Sequence, residues 1–373
     1  MAAADYTWIT YNLRTGTRLA ELPIVGASFG AELNRAGTGS GAVPLDSTIL
    51  GDVDVRASTE RGKTGIYADR AGTPVWDGII WDREYDSTTG MLKLDMASTW
   101  SYYHRRRQTV TYKPVGVEQI LIANNLFTTS GVSTGIGVAV QSPLPSSGVL
   151  RDRTYYQHEK TTTLAELIQN LAEVVNGFDF SIDLTYDGSG NLVRTLNFYY
   201  PQRGRTIDLT EHLFEFGEDT RANIVSYRWP DPGSQEANLV WNLGAGDGVL
   251  MKWLGRSNTS RYVVDGWPLL ETAISNKDTT TTAALIEQAD AKLNAISNIQ
   301  GIPTLTVLAD ADPAFGAWTL GDEIRLRIND YRWPRLADGT IALDAVYRIV
   351  GYSVTVPDDG SPETVDLTVT TPG

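Results

Sequence analysis

The chain contains no cysteine, which excludes disulfides, thiolate metal sites and cysteine nucleophiles together. Histidine is nearly as scarce. His104, His158 and His212 stand far apart, without the short spacings of metal-ligand pairs. No apolar run approaches the roughly eighteen residues that a membrane span requires, so no membrane insertion is expected of this chain. The opening Met1-Ala2-Ala3-Ala4-Asp5 has no basic segment followed by an apolar core, and no secretory signal is expected. A Gly-x-Ser-x-Gly elbow, a Walker loop and a His-Glu-x-x-His pair are all missing. Basic residues are outnumbered, 31 against 45 acidic ones, and the net charge of −14 repels nucleic acid rather than holding it. No catalytic residue, metal or cofactor is expected.

What is present reads as a folded, strand-rich protein. At 373 residues the chain suggests two to four domains, and 42% hydrophobic with 20% charged residues suits packed cores. Its most patterned stretch starts at Val75-Trp76-Asp77-Gly78-Ile79-Ile80-Trp81-Asp82-Arg83-Glu84-Tyr85-Asp86. A polar turn at Asp86-Ser87-Thr88-Thr89-Gly90 leads into a second strand from Met91 to Met96. An aromatic and basic exit follows, Trp100-Ser101-Tyr102-Tyr103-His104-Arg105-Arg106-Arg107. With Tyr6–Leu13, Arg18–Val25, Ala27–Leu33, Val53–Arg56 and Thr64–Ala68, about seven strands are expected in the first hundred residues, enough for a small barrel or sandwich. Gly37-Thr38-Gly39-Ser40-Gly41 precedes no helix and carries no lysine, so it reads as a flexible loop rather than a phosphate cradle.

The middle is mixed. Gly116–Phe127 has helical spacing, and Thr128–Gly148 reads as a long surface loop. Thr163 and Glu166 form a capping box, after which Leu164, Leu167, Ile168, Leu171, Val174 and Val175 line one helical face up to Gly177. Phe178–Tyr186 alternates as a half-buried strand and turns at Asp187-Gly188-Ser189-Gly190-Asn191 into Leu192–Tyr200, a plain hairpin rather than a calcium loop. From Arg221 the pattern is β again: Ile224–Trp229, Asn238–Leu243, Val249–Leu254 and Tyr262–Val264, then a helix over Thr281–Ser297. The last block holds Leu305–Leu308, Ile324–Ile328, Val346–Val356 and Val365–Val369.

Two features recur along the chain. Gly78 lies fourteen residues before Leu92, and Gly351 lies fourteen before Val365, with Asp358-Asp359-Gly360 in the second turn. Leu50-Gly51-Asp52-Val53-Asp54-Val55-Arg56 is answered by Leu320-Gly321-Asp322-Glu323-Ile324-Arg325-Leu326-Arg327. The offsets are 273 and 270 residues, which favours an internal duplication over coincidence. Carboxylate pairs such as Asp82/Glu84 and Asp310/Asp312 are unavoidable among 45 acids and need no catalytic explanation. Ten tryptophans and seventeen tyrosines suit sugar stacking, but in strand-rich proteins they are chiefly core and cross-strand pairs. Arg105, Arg106 and Arg107 suit phosphate, an acidic partner or a subunit contact. Arg325 and Arg327 alternate with Ile324, Leu326 and Ile328 on a one-face-buried strand, and are further candidates for subunit contact.

The block from Val75 through Arg107, the run Gly177-Phe178-Asp179-Phe180-Ser181-Ile182-Asp183 through Val193-Arg194-Thr195-Leu196, and the Gly321-Asp322 strand resemble one group. It is the minor tail or baseplate-hub (tail-associated) proteins of long-tailed, siphovirus-type phages of actinobacteria. The resemblance touches most of the chain from about residue 20, through strand-and-turn patterns of low specificity. It implies a mainly β fold with α+β insertions: two tail-tube-like β-barrels plus a helix-and-hairpin α+β domain. The expected divisions are 1–105 for the first barrel and 106–220 for the α+β domain, with helices near 116–127 and 163–176 and a hairpin over 178–200. A β-rich segment over 221–300 ends in a helix near 281–297, and 301–373 is the second barrel, completed by strands from 221–265. It further implies a homotrimeric ring at the virion tail tip, adapting a six-fold tube to a three-fold tip. The implied partners are a distal tail protein or tail-tube ring, the tape measure protein and receptor-binding proteins, with phage DNA passing through without specific binding. Peptidase or lysozyme activity would reside on another protein. A carbohydrate-binding receptor protein of the tail tip is the alternative.

Overall fold

The computed structural model describes residues 5–131, 135–206, 212–217, 222–277, 279, 281–297, 299, 301–358 and 360–372. Met1–Ala4, Val132–Thr134 of the expected long loop, and Asp359 of the second Asp-rich turn lie outside the described residues. By its internal contacts the chain forms two units, 1–227 with 304–373, and 228–303.

The first unit opens with β1 (Tyr6–Asn12), β2 (Arg18–Leu22), β3 (Val25–Glu32) and β4 (Thr38–Pro44). Helix α1 (Val55–Ser58) precedes β5 (Thr64–Arg70), β6 (Thr73–Asp86) and β7 (Met91–Ser98). These strands pair in the order β2-β1-β5-β6-β7-β4-β3. A 3-10 turn over Thr99–Arg105 leads to β8 (Val117–Glu118), α2 (Gln119–Gly131), β9 (Ala139–Val140), β10 (Leu150–Arg151) and α3 (Leu164–Ala172). Then come β11 (Asp179–Tyr186), β12 (Leu192–Tyr199), β13 (Leu213–Phe216) and β14 (Ile224–Arg228). The second unit carries β15 (Leu239–Leu243), β16 (Trp253–Ser257), β17 (Glu271–Ser275) and α4 (Thr282–Ile296). The chain then returns to the first unit with β18 (Thr304–Leu308), β19 (Glu323–Ile328), β20 (Leu343–Thr355) and β21 (Thr364–Thr370).

One continuous sheet joins the two ends of the chain. β20 pairs with β21 and β19, and its far end pairs antiparallel with β3, from Gly351 opposite Glu32 to Thr355 opposite Ser28. β14 and β18 extend this sheet beyond β21, and β13 lies beside β19. Of the strands expected within 221–265, only β14 joins it; β15 and β16 belong to the separate sheet β16-β15-β17.

The expected α+β elements are present and share a core with the first strands. Ile9, Tyr11 and Ile79 pack in one buried cluster with Ile120, Leu126 and Phe127 of α2, Leu164, Ile168 and Leu171 of α3, and Phe180, Leu196 and Phe198 of the hairpin. The cap of α3 is the one expected: Thr163 Oγ1 accepts from Glu166 N at 3.1 Å and Thr163 N donates back to Glu166 at 2.6 Å. The helix ends sooner than its apolar pattern, at Ala172, and leaves Val175 exposed.

Other expectations need correction. The glycine-rich run over residues 37–41 is no flexible loop; from Thr38 it forms β4. A Cβ on Gly39 would lie 2.6 Å from the Trp76 ring, and one on Gly41 would lie 2.4 Å from Ile24, so the glycines make room for packed side chains. Val53–Arg56 is no strand. Asp54 caps α1 by accepting from Ala57 N at 3.0 Å, which commits the segment to a helical turn. The Thr128–Gly148 region is tied down by buried Ile136 and Val138 and by β9 alongside β12. Residues 260–264 form a π-helical turn, and only the last two residues of Val249–Leu254 are strand.

The internal echo holds in part. β6–β7 and β20–β21 are both long bulged hairpins, irregular between Ile80 and Asp82 and between Ile349 and Gly351. Their registers differ: Leu92 faces Tyr85, whereas Val365 faces Val354. The Gly-Asp echo fails, because Leu50–Arg56 folds as helical turns while Asp322 leads into β19.

Candidate functional site: an interior junction and the exposed contact surfaces

Three stretches meet at Asp179, the first residue of β11. Asn34, in the turn after β3, adopts a positive φ of 62°. It donates to Asp179 Oδ1 at 2.9 Å and accepts from Phe180 N at 2.7 Å. Arg203 N donates to Asp179 Oδ2 at 2.7 Å, and the Arg348 guanidinium of β20 donates to the same oxygen. Arg348 also reaches the carbonyls of Arg203 at 2.9 Å and Gly321 at 3.1 Å. Gly321 and Asp322, singled out in the sequence, complete this junction. Asp322 is buried and accepts from Arg205 N, Thr319 N and the Arg205 guanidinium at 2.8–3.0 Å. Burial would raise its carboxyl; the donated hydrogen bonds outweigh it and hold the group below its ordinary value.

A second polar cluster lies under the stretch that begins the β6 hairpin. Asp77 is buried and accepts from Tyr11 Oη at 2.6 Å and from Thr99. Arg194 of β12, also buried, donates to Tyr11 Oη at 2.9 Å and stands 3.9 Å from Asp77. Burial pushes the Asp77 carboxyl up, against the pull of Arg194, Thr99 and Tyr11. The arrangement locks the hairpin to the first sheet.

Between these clusters is a cavity of about 300 Å³. Its walls include the rings of Trp76, Trp100, Phe180, Phe315, Trp318 and Tyr352. Trp100 packs against Phe180 at 4.6 Å with the rings tilted by 47°, and Trp318 sits 5.5 Å from Phe315 and 5.9 Å from Tyr352. Trp76 Nε1 donates to the Gly30 carbonyl at 2.9 Å, whereas the buried Nε1 groups of Trp100 and Trp318 meet no protein acceptor.

The candidate arginines are not gathered into one patch. Arg105 lies over the Trp81 ring at 5.0 Å, and Arg106 donates to Tyr102 Oη at 2.6 Å. Arg107 donates to the carbonyls of Lys160, His104 and Arg106 at 2.7–3.1 Å. Arg325 forms a two-pronged pair with Asp344 at 2.7 Å, while Arg327 bridges Glu215 at 2.7 Å and Asp344 at 3.5 Å. Among the described residues no group of three or more histidine or acidic side chains is placed to hold a metal ion. The arrangement that sequence reasoning missed is the junction. Asn34, Asp179, Arg203 and Arg348 are brought together from positions up to 314 residues apart, and no local pattern marks them.

In the second unit, α4 covers one face of the three-stranded sheet through Val240, Ala289, Leu293 and Ile296. On the opposite face Trp253 is 63% exposed and packs 5.5 Å from Trp241, whose ring lies directly over Gly255.

No protein-family model matches the sequence, and no curated protein matches it. Solved structures do. The 43 kDa tail protein of prophage MuSo2 from Shewanella oneidensis superposes with a TM-score of 0.60 at 12% identity, over 98% of both chains. The tail protein from Neisseria meningitidis MC58 superposes with a TM-score of 0.57 at 14% identity, over 98% of this chain and 96% of that one. The chain has a phage tail-protein fold. A chain of the Francisella PdpA-VgrG complex shares that tail-protein fold more distantly, with a TM-score of 0.54 at 7% identity over 99% of this chain and 58% of that one.

Proposed function

We infer that the protein is a structural component of a phage tail tip, a hub subunit rather than an enzyme. The carrying observation is the end-to-end likeness to two tail proteins, which leaves neither unit of this chain outside the shared architecture. In this reading segments 1–105 and 301–373 act as paired barrels, the second completed by β14 from 221–265 and by β13, and the rest of 106–220 and 221–300 decorates them. Three copies close a ring, present six similar β segments to a six-fold tube and three-fold symmetry to the tip. The sheet shared through β3 and β20 supports this, because it holds the two segments of one subunit in fixed relation. A distal tail protein or tube ring, the tape measure protein and receptor-binding proteins are the neighbours, in a phage of the long-tailed type infecting actinobacteria. Arg105, Arg106, Arg107, Arg325 and Arg327 stand at the subunit contacts. The charge of −14 suits a conduit through which DNA slides without sticking.

Light scattering and negative-stain class averages of the purified protein test the ring. A three-fold particle with six lobes around a channel is the expected result, and a compact particle without a channel would sink the hub. The second reading, carbohydrate recognition at the tip, is favoured by the exposed Trp253 beside Trp241 on the open sheet face. Saturable binding of cell-wall glycan that is lost in Trp253→Ala would put it first.

A further inference from the structure

We propose that a basic ribbon in the first unit docks on the acidic outer face of the β6–β7 hairpin of a second copy of this chain. The ribbon is made of two stretches, 105–118 and 150–160, that run antiparallel. Tyr112 and Tyr155 exchange backbone hydrogen bonds at 2.9 and 2.8 Å, Arg153 N donates to the Pro114 carbonyl at 3.0 Å, and β8 pairs with β10 at the far end. Together the stretches hold seven basic and three acidic residues, in a chain where acids outnumber bases 45 to 31.

Carbonyls and ring faces hold these cations, not carboxylates. Lys113 stands 5.1 Å over the Tyr156 ring, as Arg105 stands over Trp81. Arg107 reaches the Lys160 carbonyl at 2.7 Å, Arg151 that of Val175 at 2.6 Å, and Lys160 that of Gln108. Among the described residues none of these five forms an ion pair, whereas Arg83, Arg194, Arg203 and Arg256 all do. The ribbon's own acids are turned onto backbone donors. Glu118 accepts from Leu121 N at 2.8 Å, Asp152 from Gly116 N at 2.7 Å and Glu159 from Thr161 N at 2.8 Å. Glu166, whose charge acts on Arg107, is engaged in the α3 cap. With Tyr156 45% and Val115 77% exposed, the ribbon joins cations to apolar area, and arginine and tyrosine are the residues that interfaces favour.

The complementary charge lies on the outer face of the hairpin. Asp82 of β6 stands directly opposite Asp95 of β7, and Glu84 stands opposite Lys93, the one cation of the four. All four are exposed, and β4, on the other side of β7, has no charged residue. Like charges set opposite each other weaken an antiparallel pair, and cations brought from outside remove that cost. Ribbon and hairpin are different surfaces, so the contact is head-to-tail, the kind that closes rings. The choice of a second copy as partner rests on the hub reading, in which identical subunits meet; charge complementarity places the contact.

Because the chain has no cysteine, the contact can be tested in the full chain with single introduced thiols. Thr154→Cys on the ribbon and Lys93→Cys on the hairpin leave every carboxylate and ribbon cation in place. The two variants are mixed and treated with a short bismaleimide. The mixture is expected to give cross-linked pairs on a denaturing gel, and either variant alone none, because ribbon meets hairpin and not ribbon. Adding Lys113→Glu and Lys160→Glu to the first variant is expected to lower the yield at least tenfold. Adding Asp82→Lys and Asp95→Lys to the second as well is expected to restore it. No cross-link in the mixture overturns the proposal, and so does equal cross-linking of each variant alone. Should the charge-reversed chains fail to fold, the thiol pair alone decides. A three-fold particle without this cross-link keeps the ring and overturns the docking. Cross-linked pairs from a protein that forms no ring keep the docking and sink the ring.

Discussion

Glu363 shows how single residues hold the two ends of the chain together. Its carboxylate is 2% exposed, just before β21, and it stays tolerable there because Tyr6 of β1 donates to it and Arg70 of β5 reaches it with two nitrogens at 2.8 and 3.2 Å. Removing the arginine leaves a buried charge with its hydroxyl partner only. Arg70→Ala is therefore expected to destabilise the protein by about 3 kcal/mol, measured by urea unfolding. Glu363→Gln in the same background is expected to recover part of that loss, since it removes the stranded charge. At the surface the balance is gentler. Hydrogen bonds from Arg325, with the further pull of Arg327, hold the Asp344 carboxyl below its ordinary value of 3.8, against modest burial. Its contribution is complete above that value and is lost as pH falls through the lowered one. The stability difference between the native chain and Asp344→Asn should accordingly be roughly 1 kcal/mol near neutrality and shrink in acid below about pH 4. A difference that stays constant to pH 2 would show that the ion pair contributes nothing.

At the scale of elements, the strand β4 explains why glycine was misleading in this sequence. Trp76 fills the space over Gly39 and Gly78; a Cβ on Gly78 would come within 2.3 Å of its ring. Gly39→Ala is expected to destabilise by about 1–3 kcal/mol through overpacking. Combined with Trp76→Leu it should cost less than the sum of the two single changes, a coupling that denaturant unfolding of the four proteins would measure. The same contact marks what could and could not be read from the chain. Capping boxes and hairpins carry their cause within a few residues, so α3, the β11–β12 hairpin and α4 were legible, and Thr163→Ala should lose about 1 kcal/mol. The reason for Gly39 lies thirty-seven residues away in Trp76, so its run reads as a loop. Val53-Asp54-Val55-Arg56 alternates like a strand, yet Asp54 is a cap, and nothing in the alternation reveals it. The junction at Asp179 is farther beyond reach, because its parts are ordinary polar residues until the fold assembles them.

For the whole molecule, the charge of −14 sets a condition on any ring of identical subunits. Three copies brought together repel, and the repulsion is long-ranged only at low salt. The screening length falls from about 30 Å at 0.01 M to about 8 Å at 0.15 M. If closure depends on apolar and backbone contacts, light scattering should show the trimer gaining population as salt is raised over this range. Arginines at the contact predict the reverse. Arg325 and Arg327 are already engaged with Asp344 and Glu215 inside the subunit, so little of their charge is left to attract a neighbour. A ring strengthened by salt and indifferent to Arg325→Ala would assign the contacts to apolar surface. A ring dissolved by salt and by that substitution would return them to the arginines. The sign of the salt effect thus separates the two ways in which this acidic chain could close.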